Sequence, residues 1–429
     1  MASTFTRRDF LKQSALVASG TLLLGCQTGG RKTSANDKLD IGIIGVANRG
    51  AANFEGVASQ NIVALCDVDD NYLRAAAQKY SAAKTYNDFR KLLNHRGLDA
   101  VVVSTTDHTH AIATVMALRS GRHVYCEKPL THTVSEARIV AETARKHKRV
   151  TQMGTQIHAG NNYRRVVELV KSGAIGPVRE VHNWAGSVWA GRPLATEKVP
   201  VPAYFQWDLW LGPAPKRPYD PAYVPAHWRG WWDFGGGTTA DMGCHHIDLS
   251  YWALDLRHPI SVEAEGPPIN PQTAPDWLIV HYEFPGRGAL PPVKLTWYNG
   301  NKRPHYFEEG KLPQWGDGTL FVGEKGMLLA NYDKHVLLPE KDFEGFVPPA
   351  PFIPDSIGHH NEWIAACKNN DPTTCNFDYS GALTETVLLG NVAYRVGQKL
   401  QWDAKTLKAT NCPEADRFIQ HHYRKGWKI

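Results

Sequence analysis

An α/β chain is expected here: a doubly wound parallel sheet comes first, and an α+β domain with an open mixed or antiparallel sheet follows. Three observations lead to this. From Leu39 to about Gly154, short apolar runs alternate with amphipathic stretches, the pattern of βαβ units around a parallel sheet. A glycine turn, Gly45-Val-Ala-Asn-Arg-Gly50, closes the first of those runs. Beyond Gly154 strand-like runs dominate, the texture of a mixed or antiparallel sheet.

Residues 1–37 precede the fold. Thr6-Arg-Arg-Asp-Phe-Leu-Lys12 resembles a twin-arginine export signal, and Ser14 to Gly25 is the short apolar stretch that follows such a signal. Export by this route is expected, leaving the chain periplasmic or membrane-anchored and facing the periplasm. The apolar stretch is shorter than the ~20 residues a bilayer span needs. Leu23-Leu-Gly-Cys26 resembles a lipoprotein cleavage site, although Leu is not favoured at its second position. A membrane tether through Cys26 and cleavage by an ordinary signal peptidase both remain open. Gly29 to Asp37 is polar and reads as a tether in either case. No dissolved nicotinamide pool is expected outside the cytoplasm, so any dinucleotide used there must be kept and regenerated in place.

The remaining ~400 residues suffice for two domains, set at 38–154 and 155–429. Hydrophobic content of 42% with 21% charge fits an ordinary globular protein. The formal charge is +6; Arg7, Arg8, Asp9 and Lys12 account for a net +2, leaving +4, too little and too evenly spread for nucleic acid. The seven cysteines show no zinc-like two-residue spacing. Cys66 and Cys126 end apolar runs and read as buried thiols, while a Cys367–Cys375 disulfide is left open.

In the first domain Ile41–Val46, Ile62–Val68, Ala100–Thr105, His123–Cys126 and Val150–Met153 read as strands. Leu73–Tyr80, Tyr86–Leu93, His110–Arg119 and Glu136–His147 read as helices, with Ser135 as an N-cap and Gly121 at a C-cap. In the second, a helix at Tyr163–Lys171 is followed by strands at Val178–Trp184, Trp277–Phe284, Val293–Tyr298, Thr319–Val322, Met327–Leu329 and Val336–Leu338. Between them, about Gly186 to Phe234, lies an insertion rich in Pro and Trp. Eight of the fourteen tryptophans fall between Trp184 and Trp252. Core packing explains any single Trp, but a cluster in loops suits sugar faces, on which aromatic rings stack.

Gly45, Ala47 and Gly50 occupy the three positions of a dinucleotide fingerprint, with Ala replacing the middle Gly. Pyrophosphate would sit on the N-terminus of the helix beginning near Asn48, with Arg49 adding charge. Asp67 ends the second strand 22 residues after Gly45, where a carboxylate meets the adenosine ribose; it would repel a 2′-phosphate, so NAD is expected over NADP. Glu127-Lys128-Pro129 stands at the carboxyl end of a strand, where ligands bind in open α/β sheets, and its X-Pro bond is a candidate cis bond. Asp241 and His245, four apart, share one face if the segment is helical and suit acid–base work, the aspartate orienting the imidazole or binding substrate. His246 and Asp248 fall on other faces. A metal site at the adjacent histidines, or at His359-His360, is the rival; no ligand set with recognisable spacing surrounds them, and none is expected.

These residues, Gly45–Gly50, Asp67, Glu127-Lys128-Pro129 and Asp241 to His245, resemble the Gfo/Idh/MocA family over Leu39 to about Leu400. The resemblance implies a Rossmann domain followed by an open-faced sheet that often mediates homo-oligomerisation. It also implies Lys128, Asp241 and His245 as the catalytic set. Thr105, His110 and Gln156 match positions near the nicotinamide, and Glu127 joins the candidate cofactor contacts. Tyr163, Trp189 and Trp231, with Lys128 and Asp241, are the candidate substrate contacts.

An exported NAD-dependent oxidoreductase acting on a carbohydrate or polyol with a tightly held cofactor is therefore expected. Some family members are instead glycosidases that oxidise a sugar transiently. One such group departs from Glu-Lys-Pro at the lysine, which this chain keeps. An NAD-assisted glycoside hydrolase stays the alternative, with a small-molecule or oligosaccharide substrate; a non-catalytic sugar or nucleotide sensor has no need of a proton relay.

Overall fold

The structure, a computed structural model, describes residues 37–420 and 422–429. The export signal and Cys26 lie outside the described residues. Strand β1 (Asp40–Ile44) leads through the glycine turn into α1 (Arg49–Gly56). Then come β2 (Asn61–Cys66), α2 (Asp70–Lys79), β3 (Lys84–Tyr86), α3 (Phe89–Leu92), β4 (Ala100–Val103), α4 (Asp107–Arg119), β5 (His123–Cys126), α5 (Val134–His147) and β6 (Thr151–Met153). All six strands are parallel, in the order β3-β2-β1-β4-β5-β6. The order reverses between β1 and β4, and the crevice outside their carboxyl ends is where such sheets bind ligands. Strand β4 is wholly buried, as a central parallel strand covered on both faces must be. Each fully buried Val there contributes ~1.5–3 kcal/mol.

Two local expectations are corrected. Residues 86–93 are not one helix: Lys84–Tyr86 pairs with β2, and Asp88 caps the short α3 by accepting the Arg90 N–H at 2.9 Å. Helix α5 is capped at Thr133, not Ser135, because the Glu136 carboxylate reaches back to the N–H groups of His132 and Thr133.

The second part begins with α6 (Asn161–Lys171), β7 (Val178–Ala185) and, inside the Trp-rich insertion, α7 (Trp207–Leu211). It continues through α8 (Gly237–Ala253), β8 (Ser261–Glu265), β9 (Ile279–Phe284), β10 (Val293–Asn299), β11 (Asp317–Gly323), β12 (Gly326–Ala330) and β13 (His335–Leu338). It ends with α9 (His359–Asn369), α10 (Phe377–Val396), β14 (Leu400–Asp403) and β15 (Lys408–Ala409), before a short terminal segment. The sheet order is β13-β12-β11-β7-β10-β9-β8-β14-β15, and it is mixed, since β10 runs parallel to β7 while its other pairs are antiparallel.

Helix α10 was not legible as a helix, and it lies against both α5 and α8. Helix α9 returns to the first sheet, where Trp363, Ile364 and Cys367 share a core with Ile41, Ile43 and Val102. Cys375 belongs to the other large core, and all described cysteines are buried and free, so the Cys367–Cys375 bridge is absent. No described helix is long and apolar enough to cross a membrane.

Candidate active site

The site grows out of the glycine turn. Gly45 has φ +87°, and a Cβ there would lie 2.4 Å from the carbonyl oxygen of Ser104; a Cβ on Gly50 would lie 2.3 Å from Gly45 O. Both must be glycine for β1, β4 and α1 to close around the turn. Ala47, Asn48 and Arg49 then line a cavity of about 430 Å³. Asp67 stands in the same wall. Its carboxylate accepts the N–H groups of Val46 and Asp69, each at 3.0 Å, and burial pushes its pKa up to about 6 against those hydrogen bonds.

The insertion roofs this cavity. Tyr204, Phe205, Tyr219 and Trp228 face it, and the C-terminal Trp427 closes one side. The roof is fastened to the Rossmann domain by Asp70 N–H to Tyr204 O at 2.9 Å and Gln206 N–H to Val68 O at 2.8 Å. At the C-terminal end Arg424 donates to Asp208 Oδ1 at 2.6 Å, and Trp427 lies beneath the Arg90 guanidinium, 4.3 Å from its ring.

A second cavity of about 410 Å³ adjoins the first, and Arg49, Ser104, Thr105 and Arg229 border both. Lys128, Asp241 and His245 line it. Lys128 follows β5, and its bond to Pro129 is cis. Its Nζ donates to Asp241 Oδ1 at 2.6 Å and to Asp241 O at 2.9 Å. Asp241 also accepts from Arg229 Nε at 3.2 Å and Trp189 Nε1 at 2.7 Å. Burial pushes the Asp241 carboxyl up, but the charges of Lys128 and Arg229 outweigh it and hold the group well below the ordinary carboxylate range. Burial, then the neighbouring Lys128 charge, keep the His245 imidazole neutral to well below its usual pKa, although Asp241 pulls the other way. Among the described residues, His245 Nδ1 is buried without a hydrogen-bond partner. Asp241 therefore orients Lys128 and not the imidazole, a correction to its first expected role.

The other expected contacts divide. Glu127 and Gln156 line the second cavity; Glu127 Oε1 accepts from Arg49 at 3.2 Å, Asn53 at 2.8 Å and Gln156 at 2.7 Å. Thr105 lines both cavities. His110 does not line either: it is buried, with its ring nitrogens 2.8 Å from Pro129 O and 3.1 Å from Thr105 O, so it braces the two loops. Trp189 lines the second cavity, but Tyr163 and Trp231 do not. Tyr163 is fully buried and its hydroxyl donates to His245 O at 3.2 Å. Trp231 is 3% exposed, packed edge-on to Tyr223 at 5.0 Å within a core that includes Trp210, Trp228 and Phe234. An insertion with little regular structure must bury an aromatic core of its own, so most of its tryptophans are packing rather than sugar platforms.

The adjacent histidines do not converge on a metal. His246 Nε2 faces Tyr332 OH at 3.1 Å, His359 Nε2 faces Met153 O at 2.8 Å, and His360 Nε2 faces Asn53 Oδ1 at 3.0 Å. Among the described residues, the group with ligand atoms within 4.8 Å of one another is the buried His158, Asp248 and Cys375, with His158 Nδ1 on the Asp248 carboxylate at 2.9 Å. Sequence reasoning missed Arg229 and Asp107 in the second cavity. Arg229 was hidden in the Trp228-Arg-Gly-Trp-Trp-Asp-Phe234 run, and Asp107 stands two residues after Thr105.

The residues present fit a nicotinamide dinucleotide: a glycine turn with its backbone facing the first cavity, a carboxylate in the wall beside it, and a second cavity beyond. The comparisons agree. A profile of the Gfo/Idh/MocA oxidoreductase family, NAD-binding Rossmann fold, matches residues 39–155, and that of its C-terminal alpha/beta domain matches residues 160–292. The chain is 32% identical over 151 residues to an inositol 2-dehydrogenase of Salmonella typhimurium, covering 34% of this chain and 45% of that one. It is 27% identical over 202 residues to a glycosyl hydrolase family 109 protein of a Shewanella species, covering 41% and 44%. The match thus spans less than half the length of these relatives. The fold is shared with a dehydrogenase of Chromobacterium violaceum solved with NADH and UDP-GlcNAcA: TM-score 0.61, 17% identity, covering 87% of this chain and 98% of that one. With both of its domain profiles matched in order along one chain, this protein belongs to the Gfo/Idh/MocA oxidoreductase family.

Proposed function

We propose that this protein is an exported NAD-dependent oxidoreductase that exchanges a hydride between a carbohydrate or polyol and a tightly held nicotinamide cofactor. The observation that carries this is the Lys128–Asp241 pair beside a neutral His245 in a cavity that adjoins the dinucleotide trough. NAD, when bound, supplies the hydride acceptor. The chain handles the proton. Two of the three N–H groups of Lys128 are fixed on Asp241, leaving one for the substrate hydroxyl. The ammonium charge favours the alkoxide, and the His245 imidazole accepts the hydroxyl proton. The roof over the first cavity supports tight holding, which export would require.

Denaturing the purified protein and quantifying released NAD tests the held cofactor; about one NAD per chain is expected, and an empty protein that binds added NAD weakly would count against it. A redox-neutral glycoside hydrolase is the second reading, favoured by the similarity to the family 109 protein and by the roofed trough. Release of a nitrophenol from an aryl glycoside without added NAD would select it. Anchoring through an acylated Cys26 and a homo-oligomer formed on the second sheet belong to the same proposal. Intact-mass analysis of membrane fractions and light scattering test them.

A further inference from the structure

One polar group of the second cavity has no part in the scheme above. Asp107, the first residue of α4, is 4% exposed and lines the cavity together with Lys128, Asp241, His245 and Arg229. Among the described residues it makes no ion pair and no hydrogen bond to another side chain; besides the nearby cations, its own backbone N–H favours its charged form. The groups that act on it electrostatically are Arg229 from the insertion, Asp241 and Cys244 from α8, and Lys128 and Cys126 from the end of β5, while Glu127, Arg49 and His245 line the same cavity. Both nearby cations are committed to Asp241, Lys128 at 2.6 Å and Arg229 at 3.2 Å. With both cations bound to Asp241, ionising Asp107 beside it would place a second, unpaired negative charge in a buried site, which favours the protonated form of Asp107.

We propose that Asp107 is a further substrate-binding residue of this site, a neutral carboxylic acid that donates a hydrogen bond to a sugar oxygen adjacent to the carbon served by Lys128 and His245. This rests on the oxidoreductase reading of the same cavity. A neutral acid offers one O–H donor and one carbonyl acceptor side by side, which matches neighbouring hydroxyls of a polyol, where a carboxylate would only accept. Its neutrality also sets the charge of the cavity. Lys128, Arg229 and Arg49 face Asp241 and Glu127 only, leaving one net positive charge where the substrate hydroxyl loses its proton. An ionised Asp107 would cancel it. Burial, the largest influence on this carboxyl, raises its pKa to about 8 in spite of Arg229.

The test uses the NAD-loaded protein, its Asp107→Asn and Asp107→Ala variants, and myo-inositol and D-glucose as probes. Infrared difference spectra between pH 6.5 and pH 9.5, a bracket on either side of about 8, should show a protonated carboxyl band that disappears on raising the pH and is missing in Asp107→Asn. With whichever probe reduces the bound cofactor, Asp107→Ala should raise KM about tenfold with a smaller effect on kcat. As Asp107 ionises above about pH 8 the activity of the parent protein should decline; Asp107→Asn, which still donates but does not titrate, should lose less than Asp107→Ala and should lack that decline. Absence of the band, an unchanged KM in Asp107→Ala, or equal losses in both variants would overturn the proposal. If neither probe is oxidised, the kinetic arm is run with whichever member of a wider sugar and polyol panel reduces the bound cofactor; if none does, the oxidoreductase reading fails separately, and the infrared band, which needs no substrate, decides whether Asp107 is held neutral.

Discussion

Lys128 is the side chain on which the proposed chemistry of the second cavity converges, because its ammonium is fixed twice on Asp241 and shares the cavity with the neutral imidazole of His245. Lys128→Ala or His245→Ala should lower kcat by about 10²–10⁴-fold while NAD remains bound. Steady-state kinetics with cofactor quantification on the same samples checks this; full activity in both variants would exclude the assignment. In the proposed scheme the imidazole works in its unprotonated form, and burial lowers its pKa below 6.5. Activity should therefore persist as the pH falls through 6.5 and decline only well below it, in the acid limb of a kcat/KM profile. An inflection at or above pH 6.5 that vanishes in a His245 variant would contradict this. The lysine, aspartate and histidine were legible because each stood in a short motif at a strand end or on a helix face. Asp107 and Arg229 were not, since their role depends on which loops meet across the cavity.

The elements show the same division. Five of the six strands of the first domain were readable because parallel strands buried on both faces are continuous apolar runs, whereas the edge strand β3 is largely exposed and carries no such run. Helix α10 escaped because it is buried nearly all round, so it has no polar stripe to reveal its period. The insertion was readable as an aromatic-rich segment, but not as a roof. Its hold on the cofactor trough depends on backbone bonds from Tyr204 and Gln206 and on the Arg424 and Trp427 clasp, none of which has a local signature. Opening that clasp with Arg424→Ala and Trp427→Ala together should let NAD leave: dialysis should strip the variant at least about tenfold faster than the parent protein. Equal retention would show that the roof does not govern release. A Gly45→Ala change should cost about 2 kcal/mol or more of stability, read as a lowered Tm, because its Cβ would strike Ser104 O.

Across the whole molecule, several buried and half-buried histidines tie folding to pH. Burial lowers the pKa of His123 and His258 to about 4 and of His246 and His359 to about 3. Between those values and 6.5 the unfolded chain binds more protons than the folded one, so stability rises with pH over that window. Asp107 acts in the opposite sense: its folded pKa of about 8 lies above the usual carboxylate value, so its neutral form favours the fold at low pH and this contribution fades as pH rises to about 8. The histidines are more numerous, so Tm should climb from acid to about pH 6.5 and then level or fall, and a Tm that falls steadily across the acid range would contradict the buried neutral histidines.

The most direct test of the proposed chemistry is a single turnover without added cofactor: a panel of sugars and polyols is mixed with the purified protein, and the absorbance of the bound nicotinamide is followed. At least one of them should reduce the retained NAD in the parent protein and fail to do so with His245→Ala. No reduction by any of them, or equal reduction with His245→Ala, would contradict a sugar oxidoreductase that works on its own held NAD with His245 as the base.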